Sequence, residues 1–220
     1  MTVPQEIVDR RLARAFADVL DYPRAPLGEL VRTCEALVAP ASSEGAAQLA
    51  AFRTFAEETS VDALQEAYTG AFDLDSLSDL DPTCYPYVGH HLFDENHKRS
   101  AFLVGLAERF RTHGFAAGTE LPDHLVVLLR FAAACDDELL VQELVHEAIV
   151  PALGRMVGKG DGLGEPRSGR ERYQQVLRAL LAVLEQQPRF ALDLEAGAGD
   201  GVAAGSDAER SPSGLARGGG

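Results

Sequence analysis

Six histidines are the residues whose types and spacing most invite metal chemistry. His90, His91 and His97 lie close to Asp94 and Glu95. Neighbouring positions on a helix point about 100° apart, which keeps His90 and His91 from sharing one ion. Glu143 and His146 form a single ExxH pair. A di-iron bundle needs two such pairs and two further carboxylates, and no second pair is present. HExxH is absent. So is the GxSxG of a serine nucleophile. Cys34, Cys84 and Cys135 stand far apart and odd in number, the usage of reduced thiols rather than a disulfide framework. The glycines of 197–201 resemble a phosphate loop only in composition, with no strand before them and no helix after. No catalytic residue, no metal site and no resident cofactor are expected.

Two other clusters suit binding. Tyr85, Pro86, Tyr87, Val88, Gly89, His90, His91, Leu92 and Phe93 follow an acidic stretch. Aromatic groups with polar tips favour interfaces, because one end is apolar and the other can stay wet. The cluster reads equally as a helix with an aromatic inner side or as a binding surface: Leu92 and Phe93 fit a core, while one of Tyr85 and Tyr87, with His90, can reach a partner. Glu120, Leu121, Pro122, Asp123 and His124 form the second cluster. Pro122 and Asp123 are expected to open a helix, with proline tolerated in its first turn and the carboxylate at its positive end.

The elements that must position these residues are helical. Val8, Leu12, Ala15, Phe16, Val19 and Leu20 recur at steps of three and four, and Pro23 stops that helix. Leu27, Leu30, Val31, Cys34 and Leu37 make a second stripe. Leu49, Phe52 and Phe55 indicate a third helix, and Val61, Leu64, Tyr68 and Phe72 a fourth capped by Ser60. Residues 73–86, rich in Asp and Ser, read as a long loop, and loops of that length are often functional. Phe102, Leu103, Leu106 and Phe110 share a face that ends at Gly114. Leu125, Leu128, Leu129 and Ala132 line the next helix. Asp136 or Asp137 then caps another, which Pro151 is expected to bend. Glycines break the pattern over 159–169, and Tyr173, Val176, Leu177, Leu180 and Leu184 face inward on a last helix. The expected fold is all-α: one globular bundle of seven or eight helices over 1–190, then a disordered tail over 191–220.

Acidic residues outnumber basic ones by 34 to 20 in this 220-residue chain. Such a charge repels nucleic acid and anionic lipid and suits a basic peptide. Residues 1–11 hold no apolar run, and no stretch approaches the ~20 apolar residues of a membrane helix. A cytoplasmic protein that does not insert into membranes is expected. A ligand-sensing helical transcription regulator is the alternative reading. It would need a basic DNA-reading helix, and no Lys/Arg stripe supplies one.

Four places carry a family resemblance. Val19-Leu20-Asp21-Tyr22-Pro23 is similar to an "L-x-Y-P" helix ending, and Leu64-Gln65-Glu66-Ala67-Tyr68 through Phe72-Asp73 to "L-Q-x-x-Y…F-D". His91-Leu92-Phe93 through Arg99 resembles "H-L-F-G-E…R-G", with Asp94 and Ser100 where that pattern has glycine. Gly114 and Glu120-Leu121-Pro122-Asp123-His124-Leu125 resemble "G…E-L-P-D-H-L". In order and spacing the chain resembles the nitrate reductase delta-subunit family of assembly chaperones, a branch of the group that matures molybdenum enzymes.

The resemblance implies an all-helical chaperone without catalytic activity. Its partner would be the apo catalytic subunit of a molybdenum oxidoreductase. The bound part would be an N-terminal segment or twin-arginine leader, held until the molybdenum cofactor is inserted. Pro122, Asp123 and His124 correspond to the family's hallmark segment. In this expectation Tyr85 and Tyr87 cover the client's apolar side, with His90, His91 and Glu120 nearby. Asp75, Asp79, Asp81 and Asp123 meet its positive charge. A monomer and a homodimer both fit, because long loops let bundles exchange helices.

Overall fold

The apolar periodicity of the sequence becomes a stack of packed helices. The computed structural model describes residues 9–72, 84–93, 95–158, 166 and 168–187. These fall in one compact unit, 1–189. The tail expected over 191–220 and the acidic stretch 73–83 lie outside the described residues.

Helices α1 (Arg10–Val19), α2 (Gly28–Val38), α3 (Ser43–Glu58) and α4 (Val61–Phe72) follow one another in the first third of the chain. Local chemistry sets their starts. The Asp9 side chain accepts from Arg11 N, Ser42 Oγ from Gly45 N at 3.0 Å, and Ser60 Oγ from Ala63 N at 3.3 Å. Then come α5 (Val88–Leu92), α6 (Asn96–Thr112) and α7 (Leu125–Ala134). Gly114, at φ 65°, closes α6 in the left-handed conformation while Phe115 N donates back to Phe110 O at 2.8 Å. Asp137, not Asp136, caps α8 (Glu138–Leu144). That helix runs through one π turn, Val145–Ile149, into α9 (Val150–Met156). The π turn lies just before Pro151, where the widened ladder accommodates the proline ring against the preceding turn. Ser168 and Glu171 open α10 (Gly169–Leu184).

With the α8–α9 segment taken as one rod, nine helices and no strand occur among the described residues. The one element that apolar periodicity does not mark is α5, whose five residues are too few to show a period. Packing runs α7 on α1, α1 on α2, α2 on α3, and α10 on α3, α4 and α9. Tyr173 is fully buried, its ring 5.1 Å from Phe52, 5.5 Å from Tyr68 and 5.2 Å from Phe72. α7 buries Leu125, Val126, Val127, Leu128 and Leu129 in succession, the mark of a helix surrounded by protein.

Several expected stripes are only partly core, those of α2 and α6 among them. On α2 the buried residues are Val31, Cys34 and Val38, whereas Leu30 is 41% exposed and Leu37 half-buried. On α6 only Leu106 and Phe110 are buried, with Phe102 and Leu103 half-buried.

α10 begins hard against α4. A Cβ on Gly169 would lie 2.3 Å from the Ala67 carbonyl oxygen, and backbone cannot swing aside. Gly70, in the same helix α4, has open space at that position. Gly169→Ala is therefore expected to destabilise the protein by about 1–3 kcal/mol. Gly70→Ala should stabilise it by about 0.5 kcal/mol. Urea denaturation of the two variants checks the opposite signs.

Candidate functional site

The residues preceding α5 and α7 cross each other as a short antiparallel bridge between Tyr87 and His124. Val88 N donates to Asp123 O and Leu125 N to Pro86 O, both at 2.8 Å. The bridge explains why α7 begins at Leu125 rather than at Pro122 as expected. Its preceding backbone is committed to the bridge, and His124 takes the N-cap, its Nδ1 accepting from Val126 N at 3.3 Å. That bond requires an unprotonated Nδ1 and so puts the neutral ring's proton on Nε2.

Asp123 has no exposed surface. Its carboxylate is held in a fork by Arg99 of α6, Nε to Oδ2 at 3.0 Å and Nη2 to Oδ1 at 3.4 Å. The bond raises the guanidinium pKa further. Gly89 makes the approach possible, since a Cβ there would stand 2.8 Å from Asp123 Oδ2. The expectation that Asp123 offers its charge to a client is corrected here: the charge is sealed inside and already paired with Arg99.

Tyr87 lies over this pair. The Arg99 guanidinium sits 5.6 Å from its ring centroid, and its hydroxyl donates to Glu120 Oε2 at 3.2 Å. Burial, then the Glu120 charge, pushes the Tyr87 phenol up to about 12. Tyr85 packs at 4.8 Å from Tyr87 and 4.9 Å from His90, and Tyr87 edges His124 at 5.2 Å. His91 is buried, with Nε2 donating to Tyr85 O at 2.6 Å, while Arg155 donates to the His91 carbonyl. His90 and Glu120 are exposed, and Pro122 is half-buried.

Eight of the expected site residues thus come together: Tyr85, Tyr87, His90, His91, Glu120, Pro122, Asp123 and His124. Asp79 and Asp81, like Asp75, lie outside the described residues. The patch also holds residues that sequence reasoning did not assign to it. Arg130 of α7 bonds Asp21 at 2.7 Å, and Gln65 Nε2 donates to Pro23 O at 2.9 Å. Tyr22, 40% exposed, stands edge-on to Tyr68 at 5.4 Å. Burial first, then the charges of Asp21 and Glu120, raises the Tyr68 pKa. The signal was available: Asp21, Tyr22, Gln65, Tyr68 and Arg99 all belong to the motifs already quoted.

The sequence model of the nitrate reductase delta subunit family matches residues 39–155, more than half of the chain. The chain belongs to that family. It is a family of molybdoenzyme assembly chaperones rather than catalysts. No curated protein matches the chain. The match includes Gly89, Arg99, Asp123 and His124, so the delta-subunit region contains the whole ion-pair lock. Among the described residues no group of three His, Cys, Asp or Glu is placed to hold a metal ion. His97 pairs with Glu95 at 3.2 Å and Glu143 with Arg109 at 3.4 Å, both at the surface. The three cysteines are buried thiols. No helix among the described residues is long and apolar enough to cross a membrane.

The lock makes an asymmetric prediction. Arg99→Met leaves a buried carboxylate without a counter-charge and should cost about 3–5 kcal/mol. Asp123→Asn should cost less, about 1–2 kcal/mol, because the Arg99 side chain is 24% exposed and can turn to water. Paired urea melts measure the difference.

Burial also lowers the pKa of both His91 and His124 from the ordinary 6.5. The unfolded chain binds protons that the folded one refuses as pH falls below about 6.5, so stability present above that pH is lost on acidification. The melting temperature should fall from about pH 7 to about pH 5. His124→Asn, which keeps a capping oxygen, should flatten that fall.

Proposed function

We propose that this delta-subunit-family chaperone works in the cytoplasm on the apo catalytic subunit of a molybdenum oxidoreductase. It binds that subunit's N-terminal segment, a twin-arginine leader where the client is exported, until the molybdenum cofactor is in place. The supporting observation is the convergence of all four motif segments on one patch of half-exposed tyrosines with carboxylates at its edge.

The patch suits an arginine-bearing amphipathic segment. Tyr22 and Leu121, 40% and 46% exposed, offer apolar surface at the rim. The faces of Tyr85 and Tyr87 accept a guanidinium or an aliphatic side chain. Glu120 is the exposed carboxylate that meets the client's charge in this reading, in place of the buried Asp123. The chain's net charge of −14 adds a long-range pull on a cationic segment. Asp123, Arg99 and Gly89 keep the tyrosines and Glu120 in register and do not touch the client.

Capture on the tagged full-length chain from its native cells under anaerobic growth, read by mass spectrometry, tests the proposal. The expected main partner is a molybdenum-enzyme catalytic subunit lacking its cofactor. Glu120→Lys should lower its recovery about tenfold at low salt, with the gap closing as salt screens the charge. Recovery of no such subunit sinks the function. Equal recovery by the variant sinks the role of Glu120 alone.

A further inference from the structure

Among the described residues, three carboxylates come to the tyrosine patch, and two of them are already matched. Asp123 is fully buried in the fork of Arg99, and Asp21 is bonded by Arg130 at 2.7 Å. Glu120 is exposed and has no cation partner among the described residues. On the function proposed above, we infer that the patch reads one positive charge of the client. The ligand is a single basic side chain between apolar neighbours, and a second adjacent arginine stays in water.

Charge pairing is the first support. An acid that already holds a guanidinium presents little net charge to a second cation. Asp21 and Asp123 are therefore spent, while Glu120 keeps its whole charge. The Tyr87 hydroxyl takes one acceptor position on its Oε2 at 3.2 Å. A carboxylate has about four such positions, so a client's N–H groups still find acceptors there.

Glu120 is also aimed. The Tyr87 ring that holds it is fixed by three neighbours: the Arg99 guanidinium 5.6 Å from its centroid, Tyr85 at 4.8 Å and His124 edge-on at 5.2 Å. Tyr87 is thus a positioning residue for the carboxylate, acting through its hydroxyl. The third support is the apolar surround. Leu121, next to Glu120 in sequence, is exposed, as is Tyr22. A lone cation with apolar neighbours suits that surface, whereas a cluster would bring its further charges over Leu121 with no carboxylate to meet them.

Fluorescence anisotropy of the full-length chain at low salt tests this with three labelled peptides of about 18 residues, about five turns of helix. All carry the same stripe of leucines. One has glutamine at its centre, one a single arginine there, and one two adjacent arginines. The single arginine should tighten binding about fivefold over glutamine, the size of one exposed ion pair, and the second by less than about twofold more. Glu120→Gln should erase the gain from arginine and leave the glutamine peptide's affinity unchanged, which shows that the surface is intact. Tyr87→Phe, which keeps the ring and removes only the hydroxyl, should cut the gain to about twofold. A second arginine worth as much as the first overturns the proposal, as does a gain that survives Glu120→Gln. Equal binding of all three peptides overturns it too, and so does failure of all three to bind. The function itself is judged separately, by whether capture recovers a molybdenum-enzyme catalytic subunit.

Discussion

A carboxylate with no exposed surface must find its counter-charge within the fold, and Asp123 finds it across 24 residues of sequence in Arg99. Burying the two charges is costly, and the fork of two hydrogen bonds with the Asp123–Val88 backbone bridge is what offsets that cost. The pair also fastens α6. That helix is fully buried only at Leu106 and Phe110, both in its second half. Its first half is held to the body through Arg99 and the half-buried Phe102, which packs on Phe93 at 5.4 Å. Remove the ion pair and the surface above it loses its floor, because Tyr87 rests on Arg99 and His124 follows Asp123 directly.

Much of the helical architecture was legible from periodicity and caps. Ser60, Gly114 and Asp137 perform the roles that their types and positions suggest, because capping is decided within a few residues. What was not legible depends on partners distant in sequence. Pro122 looks like a helix start, but the bridge to Tyr87 takes the backbone of 122–124 and moves the first turn to Leu125. Asp123 looks like a surface charge until Arg99 is seen beneath it. Leu30 and Leu37 fit the apolar period of α2, yet the core takes only one of that helix's two faces. The short α5 has too few residues for any period to register.

The candidate site was half legible in the same sense. Tyr85, Tyr87, Glu120 and His124 could be named from residue type and cluster. Asp21, Tyr22 and Tyr68 stand in the quoted motifs, but which residues they touch is decided by packing, with Gln65 on Pro23 and Tyr22 on Tyr68. Motifs scattered over the first 130 residues become one surface only once the helices stack. Their order in sequence is therefore a poor guide to which of them touch.

A chaperone must let go of its client, and in the function proposed above the chemistry of the patch meets that demand. Its exposed apolar elements are single side chains, Tyr22 and Leu121, rather than a broad hydrophobic face. The charge it presents at Glu120 sits in water, where an ion pair contributes about 1 kcal/mol or less and salt weakens it. The strong interaction, Arg99 with Asp123, lies beneath and is complete without any ligand. Rigidity and recognition are thus carried by different residues. In that proposal the buried pair keeps the surface pre-organised, so a client loses less on ordering it, while the exposed groups supply contacts weak enough to break when the client is finished.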